Sequence, residues 1–539
     1  MSTSPPERPS LPPYAWADLG PWNLYFLSKL ALAWMGALDL NVLPNLLLLG
    51  ALLVPLRPRW ARMARQAIAV PAGIALYYAD TWWPPFSRLL AQPGVMDFSA
   101  AYMWELARRF VNPQIALVLA VLLIGYWLLK PWLRVTTLSV VGMLAVALAG
   151  LPLPGFLPER GGVAAGGGGV AARAPANDEV LNAYLANFYQ QQAALKTRFP
   201  DAASGPAFDV VILNICSMAW SDLEKVGLRS NPLLDQMDLV FDQFNSATAY
   251  SGPAAIRLLR ASCGQTSHTR LFDPVPAECQ LFANLQRFGY QADLAMNHDG
   301  HFDDFIGDLS THGGLQAKPM DTAALPRALL AFDNSPLKRD GEVLDAWWQA
   351  RQRNPAERVA LFYNSISLHD GNRIIAADGR PAAADYKARA GMVLDDIAGF
   401  VRQLGQGGRK VVLVVVPEHG AALHGDRMQI PGMREIPSPS ITHIPVGIKL
   451  IGMGPGTAGG PRHVAQPSSY LAISELLARL LAAVPPPEGS ARDWDELLRD
   501  LPETPAVSEN EGAKVLDYDG KPYLQLKGNQ NWIVYPEGK

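Results

Sequence analysis

The apolar positions of this chain follow two patterns, and the change falls near residue 160. Before it they run in blocks, at about 21–38, 40–56, 66–83, 113–129 and 135–155, each close to the ~20 residues that carry a helix across a hydrocarbon core. Charges are nearly missing there: residues 21–56 hold only Lys29 and Asp39, and 113–129 and 135–158 hold none. The pattern predicts an N-terminal multi-span helical membrane domain over residues 1–158, with about five transmembrane helices. The third block is the weakest, because "QAIAVPAGIALYYA" is short and runs into Asp80. Trp82 and Trp83 follow it, and aromatic rings favour the membrane–water boundary. No small-residue cleavage site follows the first block, which therefore reads as a retained anchor.

The loops set the expected orientation. "RPRWARMAR" carries four arginines and "KPWLR" two basic residues, which marks both as cytoplasmic. If all five blocks cross, everything beyond residue 155 lies in the periplasm; if 66–83 does not, it lies in the cytoplasm. The loop "DFSAAYMWELARRFV" has helical apolar spacing and is expected to lie along the membrane interface or to form an ordinary loop helix.

Residues 159–178, "ERGGVAAGGGGVAARAPAND", have too little apolar surface to order themselves and read as a flexible tether. From 179 to 539 the pattern alternates. Strand-like runs at 208–215, 238–244, 291–297, 358–367, 410–416 and 443–452 are separated by helical patterns such as "DYKARAGMVLDDIAGFVRQL". That order predicts an α/β domain around a mostly parallel sheet, and continuous Val/Ile/Leu runs suit strands covered on both faces. The tail from 514 carries Asp-Gly and Gly-Asn turn signals and predicts a terminal hairpin.

Composition adds three limits. A length of 539 residues exceeds one hydrophobic core. The 46 Lys and Arg against 49 Asp and Glu offer no basic surface for nucleic acid. Three cysteines are an odd number, which in an oxidising compartment suggests one disulfide and one thiol with another task. Cys263 and Cys279 are the expected pair, leaving Cys216 reduced.

Ligands of open α/β sheets gather outside the carboxyl ends of the strands, so the reactive side chains at those ends matter most. Cys216 closes "VVILNIC", Ser251 follows "LVFDQFNSATAY", His369 closes "LFYNSISLH", and Glu418 with His419 closes "VVLVVVPEH". Each has a plain explanation. Ser251 before Gly252 and Pro253 has the composition of a helix start, with serine as cap. Cys216 could be a small buried hydrophobe and His369 a turn residue. Two ionisable groups directly after seven core-like residues, as at Glu418 and His419, are costly unless something there requires them. Together, thiolate, imidazole, carboxylate and hydroxyl make a plausible four-coordinate zinc site, in which coordination would activate the serine oxygen as a nucleophile.

The segments "NSATAYSGPAAIRLLRASCGQTSHTRLFD", "YNSISLHDGNR", "VVPEHGAALHGDRMQ" and "IPSPSIT", with "PWNLYFLSKL" at the membrane entry, resemble the phosphoethanolamine transferases of bacterial cellulose biosynthesis, the cellulose synthase operon protein G family. The resemblance covers nearly the whole chain. It implies an alkaline-phosphatase-like domain anchored in the bacterial inner membrane and exposed to the periplasm. It also implies a donor, phosphatidylethanolamine, an acceptor, the 6-hydroxyl of cellulose glucose units, and a cellulose synthase complex as partner. The position matching Ser251 is the family's nucleophile, those matching Cys216, Ser251, Glu418 and His419 bind one Zn²⁺, His369 and Arg434 match phosphate-facing or catalytic residues, and Tyr250 adjoins the nucleophile. Against the wider superfamily, the chain has cysteine where a carboxylate usually binds metal, glutamate before the metal histidine, and serine in place of threonine. These departures argue against a second metal. Two other readings stay open: transfer to lipid A or another periplasmic glycan, and a non-catalytic anchor of the synthase complex.

Overall fold

A computed structural model of the chain describes residues 18–34, 38, 40–80, 99–109, 113–149, 174–376, 378–454, 456–457, 459–483, 492–529 and 531–536. Trp82, Trp83 and most of the 159–178 tether lie outside the described residues. The chain divides into two compact units, Met1–Pro85 with Ala107–Ala171, and Phe86–Leu106 with Ala172–Lys539. The hydropathy pattern gave no sign that Phe86–Leu106 belongs with the second unit.

The first unit is helical, with helices at Trp22–Trp34, Val42–Leu53, Arg59–Asp80, Pro113–Leu129 and Val135–Ala149. No described helix is long and apolar enough to cross a membrane. Phe26, Leu48, Leu49, Leu52 and Met143 form its interior, while Leu43, Leu47, Ile68, Ile74, Val121 and Trp127 are exposed. Lys29 meets Asp80 at 2.6 Å with both side chains fully buried. Asn45 accepts from Lys29 at 2.8 Å and donates to Asp80 at 2.6 Å, which satisfies charges that would otherwise be very costly inside.

In the second unit, all six expected strand runs are strands. With an added edge strand they form a seven-stranded sheet: β1 (Asp209–Ile215), β2 (Leu239–Asn245), β3 (Tyr290–Met296), β4 (Arg358–Ser365), β5 (Val411–Pro417), β6 (His443–Ile451) and β7 (Arg462–Val464), in the order β7-β2-β6-β5-β1-β4-β3. The sheet is mixed: β6 runs antiparallel to both β2 and β5, and the other pairings are parallel. Successive residues of β1 enter opposite cores. Val210 and Ile212 join the layer that includes helices Ser251–Leu259 and Tyr470–Ala482. Val211, Leu213 and Ile215 join the layer of Asp340–Arg353 and Tyr386–Gln406. A strand buried on both faces has no polar side to show, which is why these runs are continuously apolar.

The terminal hairpin pairs Ala513–Tyr518 with Lys521–Leu526. Its turn uses Asp519 at φ 56° and Gly520 at φ 72°, the left-handed pair an Asp-Gly turn provides. A second small sheet joins Pro336–Lys338, Arg327–Leu330, Arg373–Ile375 and Pro381–Ala383. Cys263 and Cys279 form a disulfide, and Cys216 is free and buried.

Candidate metal centre and active site

Strand register builds the site. Ile215 of β1 lies level with Ser365 of β4 and Pro417 of β5, so the residues that leave these strands emerge side by side. Glu418 N–H donates to Ile215 O at 2.9 Å, Cys216 N–H to Ser365 O at 2.8 Å, and Met218 N–H to His419 O at 2.6 Å. Ser251 arrives from the next connection, as the first residue of the helix Ser251–Leu259. The structure corrects one expectation here: the N-cap position is Tyr250, which makes no side-chain cap bond, and Ser251 turns its hydroxyl to the cluster.

Within that cluster, Cys216 Sγ is 3.6 Å from Ser251 Oγ and 4.0 Å from His419 Nε2. Ser251 Oγ is 3.4 Å from His419 Nε2, and Glu418 Oε2 is 3.9 Å from the same nitrogen. Four donors around one tetrahedral zinc would stand roughly 3.3–3.7 Å apart, given metal–ligand distances of about 2.0–2.3 Å. The observed spacing is close to that. Cys216, Glu418 and His419 are all buried, with ligand atoms within 4.8 Å of one another.

Hydrogen bonding prepares each donor. His419 Nδ1–H donates to Gly420 O at 2.9 Å, leaving the Nε2 lone pair for the centre of the cluster. Asn364 Nδ2 donates to Glu418 Oε1 at 2.6 Å, and Glu418 Oε2 is buried with no hydrogen-bond partner. A carboxylate oxygen in that state is costly, and a cation would satisfy it. Burial, and then the Glu418 charge, push the Cys216 thiol up to about 12, so without a cation it stays protonated. Burial, and then Arg434, hold His419 well below its ordinary value and therefore neutral. Each group fits a metal that is not itself part of the structure.

Arg434 Nη1 lies 3.1 Å from Nδ1 and 3.3 Å from Nε2 of His419, and donates to Ser217 Oγ at 3.2 Å. Tyr250 donates to Glu435 at 2.9 Å, so the residue before Ser251 is tied to the residue after Arg434. Asn510 clamps the same two loops. Its Oδ1 accepts from Thr248 Oγ1 and Ala249 N–H at 2.9 and 3.1 Å, and its Nδ2 donates to Arg434 O and Glu435 O at 3.0 and 3.1 Å.

His369 sits beside Phe332, ring centres 4.5 Å apart, with Nδ1–H donating to Asp370 O at 2.8 Å. Burial, and then the charge of Arg434, lower His369 to about 4, so its imidazole is neutral at neutral pH. Sequence reasoning missed Asn364, His298 and Asn214. His298 Nε2 meets Asn364 Oδ1 at 2.8 Å, and Asn364 Nδ2 meets Asn214 Oδ1 at 3.1 Å. The available signal was one asparagine near the carboxyl end of each of two mostly apolar strands, at paired register positions.

Residues 22–148 match the cellulose biosynthesis protein BcsG N-terminal domain, and residues 167–532 match the BcsG C-terminal domain. The chain belongs to the BcsG family. Cellulose biosynthesis protein BcsG of Escherichia coli (strain K12) is 43% identical over 548 residues, covering 97% of each chain. That of Salmonella typhimurium (strain LT2) is 42% identical over 560 residues, covering 99% of each. Among solved structures, the chain is similar to a protein in the alkaline phosphatase superfamily from Vibrio parahaemolyticus, with TM-score 0.45 and 14% identity over 66% of this chain and 87% of that one. The clustered residues Cys216, Ser251, Glu418 and His419 lie in the stretch matching the BcsG C-terminal domain.

Proposed function

We propose that this BcsG-family chain is a zinc-dependent transferase that moves phosphoethanolamine from phosphatidylethanolamine to the 6-hydroxyl of glucose units in cellulose. It acts from the inner membrane with its catalytic domain in the periplasm, beside a cellulose synthase complex. One observation carries the reading: a thiol, a hydroxyl, an imidazole and an unpartnered carboxylate oxygen, from two strand ends and one helix start, surround one point. A zinc ion held by Cys216, Ser251, Glu418 and His419 would supply the positive charge that stabilises a serine alkoxide.

The chain's own groups then account for each bond. In the first exchange, Ser251 Oγ bonds to phosphorus and the bond from phosphorus to the diacylglycerol oxygen breaks. The proton that leaves the Ser251 hydroxyl ends on that oxygen, relayed by the neutral imidazole of His369. In the second, the glucosyl 6-oxygen bonds to phosphorus, the serine–phosphorus bond breaks, and the hydroxyl proton returns to Ser251 by the same imidazole. Arg434 spreads its charge over the phosphoryl oxygens. Support for the location comes from the exposed apolar residues of the first unit and from the disulfide of the second, which suits an oxidising compartment. Membrane anchoring holds the site near a donor that does not diffuse through water.

The test is covalent capture. Full-length protein in detergent, incubated with phosphatidylethanolamine labelled in its headgroup, should carry the label on Ser251 and contain one zinc per chain. Ser251→Ala should carry none. A labelled alanine variant, or wild-type protein without zinc, overturns the assignment.

A further inference from the structure

The loop after β4 that bears His369 is held from two directions. From the helix Tyr386–Gln406, Arg389 Nη1 donates to His369 O at 2.7 Å and Ser367 O at 2.9 Å. The other support comes from far away in sequence. Tyr102, on the helix Ala100–Arg109, donates its hydroxyl to Asp370 Oδ2 at 3.0 Å. Its ring is buried among Leu329, Phe332 and Leu337. Ser99 N–H donates to Phe332 O at 3.0 Å, and Phe332 is the ring that covers the His369 imidazole.

Gly371 shows how close this fit is. At φ +81° it favours glycine, and a Cβ there would stand 2.6 Å from Tyr102 Cδ2. The His369–Asp370–Gly371 turn thus leaves room for a tyrosine ring that comes from between the third and fourth apolar blocks. That segment matches the BcsG N-terminal domain, whereas His369 matches the C-terminal one.

We propose that Tyr102 is a positioning residue for His369: through Asp370, Gly371 and Phe332 it fixes the imidazole in the orientation that proton relay requires, so the active site is incomplete without residues 99–105. The inference rests on the relay role given to His369 above. Its physical basis is that small displacements of a relaying group are expensive in rate, and a side chain held by a backbone hydrogen bond and a neighbouring tilted ring depends on whatever holds those two in place.

The experiment uses the full-length chain in detergent, with Tyr102→Phe and Tyr102→Ala beside wild type and two readouts. The first needs no substrate: the rate at which diethyl pyrocarbonate modifies His369, followed by mass spectrometry. Tyr102→Ala should raise it about fivefold and Tyr102→Phe less, as loss of a single hydroxyl bond allows. The second is transfer to a soluble cello-oligosaccharide. Here kcat should fall about tenfold in Tyr102→Ala, with KM for the donor within about twofold and zinc content unchanged, and Tyr102→Phe should recover most of the loss. Unchanged His369 reactivity in both variants overturns the proposal, as does unchanged kcat. If Tyr102→Ala does not fold, Tyr102→Phe decides alone. If wild type transfers nothing, the functional reading fails, while the reactivity contrast still decides whether Tyr102 holds the imidazole.

Discussion

Asn364 donates to one oxygen of Glu418 at 2.6 Å, while the other oxygen of that buried carboxylate has no partner. The asymmetry suits the proposed zinc site, in which Asn364 would hold Oε1 and leave Oε2 to the cation. Asn364→Ala removes the support and lets the carboxylate turn. Zinc affinity should fall about 10- to 100-fold, the usual effect of removing a partner of a metal ligand, as read by competition with a chelator. Affinity equal to wild type would mean that the strand geometry alone aims Glu418.

Much of this was legible beforehand, for a physical reason. Strands covered on both faces carry apolar runs, so β1, β2, β4, β5 and β6 were visible in the sequence, and the residues directly beyond them were the ones to inspect. Cys216, Glu418 and His419 could be found because a strand end fixes where its next side chain emerges. The support around them could not. Asn364 and Asn214 come from two different strands and His298 from the bend after a third, and only the pairing of those strands brings them into hydrogen-bond reach. The second small sheet was invisible too, since strands as short as Pro381–Ala383 and Arg373–Ile375 carry too little alternation to read. Tyr102 was hidden by chain order: the apolar spacing of its segment gave a helix, but not the surface that covers it.

Asp209, at the opposite end of β1 from Cys216, anchors the sheet by charge. Arg351 reaches both its oxygens at 2.8 and 2.9 Å, Arg409 adds a bond at 2.8 Å, and the Asp209 and Arg351 side chains are fully buried. Asp209→Ala leaves Arg351 uncompensated and should cost about 3–5 kcal/mol. Asp209→Leu combined with Arg351→Met should recover most of that. Zinc content at saturating metal should not change in either, because the site lies at the other end of the strand. Denaturant unfolding with metal analysis checks both statements.

Burial and Arg434 lower His369 to about 4, and an unfolded histidine titrates near 6.5. The folded state therefore binds this proton less readily than the unfolded one. The stability that comes from keeping His369 neutral is fully present above about pH 6.5 and is lost as pH falls towards 4. Buried carboxyls such as Asp222, raised to about 6 by burial, act in the opposite sense, so the total curve does not isolate the effect. The difference between wild type and His369→Asn does. That difference in melting temperature should be constant from pH 7 upward and should shift against wild type between about pH 6.5 and 4. A pH-independent difference would show that His369 titrates normally.

The Cys263–Cys279 disulfide closes a short loop, with a sequence separation of 16, just beyond the helix that begins with Ser251. By the chain-entropy account a loop of this size is worth about 3 kcal/mol, so Cys263→Ala with Cys279→Ala should lower stability by about that much. A single replacement should do more harm than the pair. Cys263→Ala alone leaves Cys279 unpaired, and under oxidising conditions it can capture Cys216, the thiol that the proposed zinc site needs in reduced form. The single variant should therefore be purified with less zinc than the double variant and with fewer free thiols than the two its sequence allows. Thiol counting under denaturing, non-reducing conditions, set beside metal content, makes the comparison. Full zinc in the single variant would mean that β1 buries Cys216 before any rival thiol can reach it.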